Sequence, residues 1–163
     1  MTEWWRGEGE RVDDRVGDGV RLIQRPDQFC FSVDSVLLAH YVKPKAKDRI
    51  ADLGTGTGVI SLLVSALGGR DITAFEVNPV MADLARRNIA GNGKEDRIHV
   101  VECDYRKVNE RFPSGSFSLV LANPPYREMG TGKMSMLEGV ASASYEMNAS
   151  LTDVFKTAQY LLK

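Results

Sequence analysis

Two stretches of the chain carry residues whose types and spacing suit chemistry on a small ligand. In residues 50–60, Ile-Ala-Asp-Leu-Gly-Thr-Gly-Thr-Gly-Val-Ile, three glycines alternate with threonines directly after an apolar run. Lacking Cβ atoms, Gly54, Gly56 and Gly58 let the backbone turn tightly and let a ligand lie against it, with Thr55 inside the loop. A helix starting there adds free N–H groups and a partial positive charge. Such a strand–loop–helix unit holds nucleotide-like ligands at the carboxyl edge of a sheet. The dinucleotide fingerprint Gly-x-Gly-x-x-Gly would need its third glycine at position 59, but that residue is Val59. Glu76 ends the following strand, where a carboxylate can accept from both ribose hydroxyls of a nucleoside. Asp104, after the next strand, suits either the amino group of a bound adenine or the N-cap of a helix. Val77 and Tyr105, beside these acids, complete the expected ligand-contacting set.

The second stretch is Asn123-Pro124-Pro125-Tyr126. Two prolines would break a strand or helix interior, but they suit a rigid turn that fixes the groups on either side. An exocyclic aromatic amine is a poor nucleophile, because its lone pair is delocalised into the ring. The side-chain oxygen of Asn123 and the carbonyl of Pro124 can both accept hydrogen bonds from such an NH2 group. That draws electron density to nitrogen and aims it, an effect of orientation and fixed dipoles rather than of proton transfer. Tyr126 offers a ring face on which an extruded base can stack.

The elements that must position these groups follow from periodicity. From residue 49 onward strands and helices alternate, which predicts a parallel sheet wrapped by helices. The expected strands are 49–53, 72–77, 98–102 and 117–122. A helix runs from Gly58 to about Leu67, and a second is capped by Asn78 with Pro79 at its first position. Val80, Met81, Leu84, Ala85 and Ile89 form the buried stripe of that second helix. A short helix is expected near 105–111, and Ser150 caps a last one with apolar residues at Leu151, Val154, Phe155, Ala158, Leu161 and Leu162. Ahead of the sheet, the alternation of Val20 and Leu22 with Phe29 and Phe31 across Arg25-Pro26-Asp27-Gln28 predicts a β-hairpin. Ser32 then caps a helix that must stop before Pro44. Residues 1–19 are expected to be a mobile segment anchored by Trp4 and Trp5, and residues 20–163 one domain.

Composition narrows the function classes. A chain of 163 residues is one domain's worth, and 43% hydrophobic with 26% charged residues describes an ordinary globular protein. With a net charge of −1 no overall basic field draws in nucleic acid, so RNA contact must come from a local patch. The basic run Lys43, Lys45, Lys47 and Arg49 precedes the first sheet strand, hence lies at the edge opposite the glycine loop and reads as a solvated loop. Cys30 and Cys103 read as free thiols, and His40 and His99 lack metal-ligand spacing, so no metal is expected. Without an apolar leader or a membrane-length stretch, the expectation is a cytoplasmic protein.

The pattern Asp52-x-Gly54-x-Gly56-x-Gly58 resembles motif I of the class I S-adenosylmethionine (SAM) methyltransferases. Asn123 to Tyr126 resembles motif IV of those acting on planar amines or amides: adenine N6, guanine N2 or glutamine N5. The run Glu10-Arg11-Val12-Asp13, then Leu22-Ile23-Gln24, then residues 29–39 is similar to bacterial tRNA1(Val) (adenine(37)-N6)-methyltransferases, over nearly the whole chain from Glu10. The resemblance implies a Rossmann-like α/β sheet, SAM as cofactor, and methyl transfer to the adenine beside a tRNA anticodon. It assigns Gly54, Gly56 and Glu76 to the cofactor together with Asp52 and Asp104, and residues 123–126 to the target base. Asp52 would meet the cofactor's cationic amino acid tail, or else brace the loop. Gln24, Phe31 and Ser32 would border the methionine end. The chain departs from the family in reading Ala143-Ser144-Tyr145-Glu146 where a basic pair leads into the last helix. Of the seven strands of a class I sheet only four are found; the last three are expected to be missing, which would leave residues 117–122 as a bare edge suited to pairing in a homodimer. The loop 127–142, with its glycines and methionines, reads equally as a cover over substrate or as a disordered connection. Alternatives are a protein glutamine-N5 methyltransferase, or an inactive SAM-binding module that works as an interaction partner.

Overall fold

The structure is a computed structural model that describes residues 6–28, 30–124 and 149–162, the side chain of Arg15 excepted. Its centre is a four-stranded parallel sheet. In chain order the strands are β3 (Arg49–Leu53), β4 (Asp71–Glu76), β5 (Ile98–Glu102) and β6 (Leu119–Ala122), arranged β5-β4-β3-β6. Because β3 and β4 are buried on both faces, they read as continuous apolar runs.

Side chains alternate between the two faces, and each face has its own core. Ile50, Ile72, Ala74 and Leu121 pack on one side with α2 (Val59–Ala66), Ile89 of α3 (Pro79–Gly91) and Ala39 of α1 (Val33–Tyr41). Ala51, Leu53, Phe75 and Phe117 pack on the other with α4 (Leu151–Leu161) and Val108 of a 3-10 turn, Tyr105–Glu110. Edge-on contacts join Phe75 to Phe112 and Phe117, with ring centroids 5.4 and 6.2 Å apart. Two capping expectations hold: Asn78 accepts from the Val80 N–H with Pro79 next to it, and Ser150 and Asp153 form a reciprocal capping box. Ser32 precedes α1 but forms no side-chain cap there.

Three expectations change. The hairpin pairs β1 (Arg11–Gly17) with β2 (Val20–Gln24), closed by Asp18-Gly19 at positive φ of 51° and 72°. It does not fold across residues 25–28, whose turn instead leads β2 toward α1; residues 11–17 therefore belong to the folded domain. Both turn positions need positive φ, which Asp and Gly tolerate and which matches the twist of paired strands. Second, Val80 is 38% exposed and the α3 stripe contains Asn88 in its place, fully buried. Third, Leu151 and Phe155 of α4 are exposed, and Val154, Thr157 and Leu161 make its inward face.

The strand at 117–122 is shorter than expected. Its regular pairing with β3 spans Leu119–Ala122, and Phe117 bridges to Leu162 by donating its N–H to the Leu161 carbonyl at 2.9 Å. β6 is the outermost strand of the described sheet. Trp4, Trp5, Phe29, the loop 127–142 and residues 143–146 lie outside the described residues.

Asparagines anchor the hairpin to the domain. Asn88 accepts from the Ile23 N–H at 2.6 Å and donates to the Ile23 carbonyl at 3.0 Å. One turn later Asn92 accepts from the Arg21 N–H at 3.1 Å and donates to the Arg21 carbonyl at 2.8 Å. Four helical residues rise about 6 Å and two strand residues about 6.6 Å, so side-chain amides at i and i+4 match alternate residues of an edge strand. The outer edge of β2 is thereby closed by a helix. Glu10 adds a forked ion pair to Arg87 of α3 at 2.7 and 2.8 Å, which lowers the Glu10 carboxyl below its usual range.

Candidate active site

The parallel register brings the carboxyl ends of three strands to one place. Leu53 is paired with Phe75 on one side and Ala122 on the other, so the residues that follow, Gly54, Glu76 and Asn123, leave adjacent strand ends together. They line one cleft, open to solvent, with Thr55, Val77, Tyr105 and Pro124. Phe31, Ser35 and Met81 complete its walls, and Asp104 and Arg106 stand at its border.

The glycine loop has the conformation its composition foretells. Gly54 and Gly56 have φ of 70° and 59°, a region L side chains rarely enter. A Cβ on Gly54 would project toward Tyr105, 4.0 Å from its Cε1, and one on Gly56 would stand 3.7 Å from Met81 Cε. Both neighbours are cleft walls, so the missing side chains leave bare backbone facing the cleft. Gly58 serves differently: it is the N-cap of α2, seated against Ala85 of α3, and is absent from the lining.

Glu76 is 1% exposed and braces the loop: one oxygen accepts from the Gly56 N–H at 2.8 Å and the other from the Asn78 N–H at 2.9 Å. A carboxylate has about four lone-pair positions, so it can accept from more donors than these two N–H groups. Asp52, in contrast, is fully buried beneath the loop and outside the cleft lining. Its Oδ2 accepts from the hydroxyls of Thr55 at 2.6 Å and Ser61 at 2.7 Å, while Oδ1 has no hydrogen-bond partner among the described residues. Burial raises its pKa against the lowering effect of the two hydroxyls. Of the two expected roles, this is the geometry of a loop brace.

Asp104 takes the cap role seen in its sequence and accepts from the Arg106 N–H at 3.0 Å. The Arg106 guanidinium also bonds its carboxylate, holding it below the usual range. Asn123 donates from Nδ2 to the Ser35 hydroxyl at 3.0 Å. Pro125 and Tyr126 lie outside the described residues. Gln24 and Ser32 are not cleft residues; buried Gln24 accepts from the Phe31 N–H at 3.2 Å and so seats the wall residue Phe31.

Sequence reading passed over two residues. Ser35 lies in the quoted run without a role, and Asn88 holds the carbonyl of Thr57 at 3.0 Å as well as β2. A signal existed for each: Asn88 falls at i+4 from Leu84 on a buried stripe, and Ser35 shares the inward face of α1 with Ala39. Among the described residues no group of three or more His, Cys, Asp or Glu is placed to hold a metal, and no helix is long and apolar enough to cross a membrane.

Comparison with known proteins bears on the family and the fold. The methyltransferase small domain family model matches residues 21–159. A tRNA1(Val) (adenine(37)-N6)-methyltransferase of Shewanella amazonensis is 35% identical over 70% of this chain and 48% of its own length. A protein of the same description from the Flavobacteriaceae bacterium strain 3519-10 is 31% identical over 85% of this chain and 57% of its own. The chain thus spans about half the length of the curated relatives it matches. Among solved structures, Pyrococcus horikoshii TYW2 in complex with MeSAdo superposes with a TM-score of 0.58 at 22% identity, over 71% of this chain and 43% of that one. Geranyl diphosphate C-methyltransferase from Streptomyces coelicolor A3(2), in complex with Mg2+, geranyl diphosphate and S-adenosyl-L-homocysteine, gives 0.60 at 16% identity, over 80% and 41%. At these identities the likeness is one of fold.

Proposed function

The chain belongs to the methyltransferase small domain family, and from that premise we propose that it binds SAM and methylates the exocyclic N6 of an adenine in RNA, namely adenine 37 of a tRNA anticodon loop. The observation that carries the reading is the placement of Asn123 on the same cleft as the bare glycine loop and Glu76. The residues fit the cofactor. A Cβ at Gly54 or Gly56 would fill the space where a ligand must approach, and the Glu76 carboxylate suits the two hydroxyls of a ribose. Asp104 and Tyr105 line the same cleft, and the Asp104 carboxylate suits the amino group of an adenine.

When bound, SAM supplies a methyl group already activated on a sulfonium, so no metal and no covalent enzyme intermediate is required. The chain's own work is binding and orientation. Asn123 and the Pro124 carbonyl accept from the substrate NH2, which opposes delocalisation of its lone pair and points it toward the glycine loop. Tyr126 stacks the extruded base. The choice of adenine 37 rests on the names of relatives 31–35% identical to this chain.

Calorimetric titration with SAM, followed by transfer of labelled methyl to total tRNA and to a peptide-release factor, tests the reading. Label in an anticodon-loop adenine supports it. Label in a glutamine favours the protein substrate, and SAM binding without transfer to either favours an inert binding module.

A further inference from the structure

The Asn123 amide is tied to α1. Its Nδ2 donates to the hydroxyl oxygen of Ser35 at 3.0 Å, across 88 positions of sequence. Ser35 is 4% exposed, lies in the first turn of α1, and is itself a wall of the cleft. It shares the inward face of the helix with Ala39, while Val33, Leu37 and Tyr41 face outward. Packing alone would accept alanine here as readily as at Ala39.

A carboxamide can turn over about its last bond, exchanging oxygen for NH2 with almost no change of shape. Toward a substrate amine the two orientations are opposite: the oxygen accepts, whereas the NH2 group presents only donors. We propose that Ser35 is a positioning residue for methyl transfer, holding the Asn123 amide by its NH2 group so that the carbonyl oxygen is the end offered to the substrate amine. The oxygen has two lone pairs, so it can accept from the substrate whatever else it contacts. Ser35 is held in turn by the start of α1, its N–H bonded to the Ser32 carbonyl at 3.1 Å. The inference rests on the amine-methylation reading above, but the tether itself is tested separately.

Ser35→Ala removes the acceptor at nearly constant volume, and Ser35→Thr restores it. At saturating SAM, with an anticodon stem-loop carrying adenine 37, Ser35→Ala is expected to lower kcat about tenfold. The KM for RNA and the affinity for SAM should stay within about twofold, and Ser35→Thr should recover most of the rate. In isotopically labelled protein, the Asn123 side-chain NH2 resonances should shift and exchange faster with water in Ser35→Ala, and return toward wild type in Ser35→Thr. An unchanged kcat, or a loss carried by KM and SAM affinity instead, overturns the proposal. If the wild-type chain methylates no adenine, the underlying reading falls. The NH2 resonances then still decide the tether: a shift in Ser35→Ala upholds it, and unmoved resonances refute it.

Discussion

Replacing Asn88 with leucine separates hydrogen bonding from packing at the junction that holds hairpin, helix and glycine loop together. Leucine has the branching of asparagine with bulkier ends, so no cavity opens, but three bonds vanish: the Ile23 N–H and carbonyl and the Thr57 carbonyl each lose a partner. Asn88 is fully buried, so water cannot readily take its place. An unsatisfied buried donor costs about 1–3 kcal/mol, and carbonyls with a second lone pair cost less. The sum is about 3–5 kcal/mol, which for a domain of this size lowers Tm by roughly 6–20 °C. Asn92→Ala is the control. It removes the equivalent pair of bonds one turn along, where Arg21 is exposed and water replaces them, together with its donation to the Asn88 carbonyl at 2.7 Å. Its cost should be about 0.5–1 kcal/mol. Urea denaturation followed by circular dichroism measures both. If Asn88→Leu lies within about 1 kcal/mol of wild type, or Asn92→Ala costs as much as Asn88→Leu, the reasoning from burial is refuted.

Glu76→Gln keeps shape and removes charge. It leaves one acceptor oxygen where two N–H groups, from Gly56 and Asn78, now bond, and turns an NH2 toward the other. SAM affinity by calorimetry should fall by about tenfold to a hundredfold; affinity within about twofold of wild type would remove Glu76 from the site. Asp52→Asn tests the buried carboxylate by pH. Burial raises the folded pKa above the ordinary 3.8, so the stability Asp52 contributes is present below that value and lost as pH rises through the folded pKa. The stability of wild type relative to Asp52→Asn should therefore decline with pH above about 4, read from urea midpoints across the acid-to-neutral range. A flat difference, or one that grows with pH, contradicts the assignment.

The sheet was legible because its strands are buried on both faces: β3, β4 and the glycine loop announce themselves by apolar runs and by glycines in alternation. The hairpin was not, although its turn was written in Asp18-Gly19. Its first strand, Arg-Val-Asp-Asp-Arg-Val-Gly, is too polar to resemble one: its contacts with the core come from Val12 and Val16, and Glu10 just before it is held by Arg87. Glu76 and Asn123 could be singled out because a strand end followed by a chemically apt residue is a local signal, and both line the cleft. Asp52 illustrates the opposite limit. Sequence places it at the loop, and only the side of the sheet it faces, toward Ser61 of α2, separates a brace from a ligand contact. Local periodicity marks Ser35 and Asn88 as inward-facing, but their roles depend on partners 88 and 65 positions away, which periodicity does not name.

The central claim is that Asn123 acts on the amine and not on the cofactor. Its direct measurement is the single-turnover rate of methyl transfer from saturating SAM to an anticodon stem-loop by Asn123→Ala, beside its SAM dissociation constant. The account predicts a rate lowered by about a hundredfold or more with the dissociation constant within about twofold of wild type. A rate that survives, or a rate and an affinity that fall together, contradicts it.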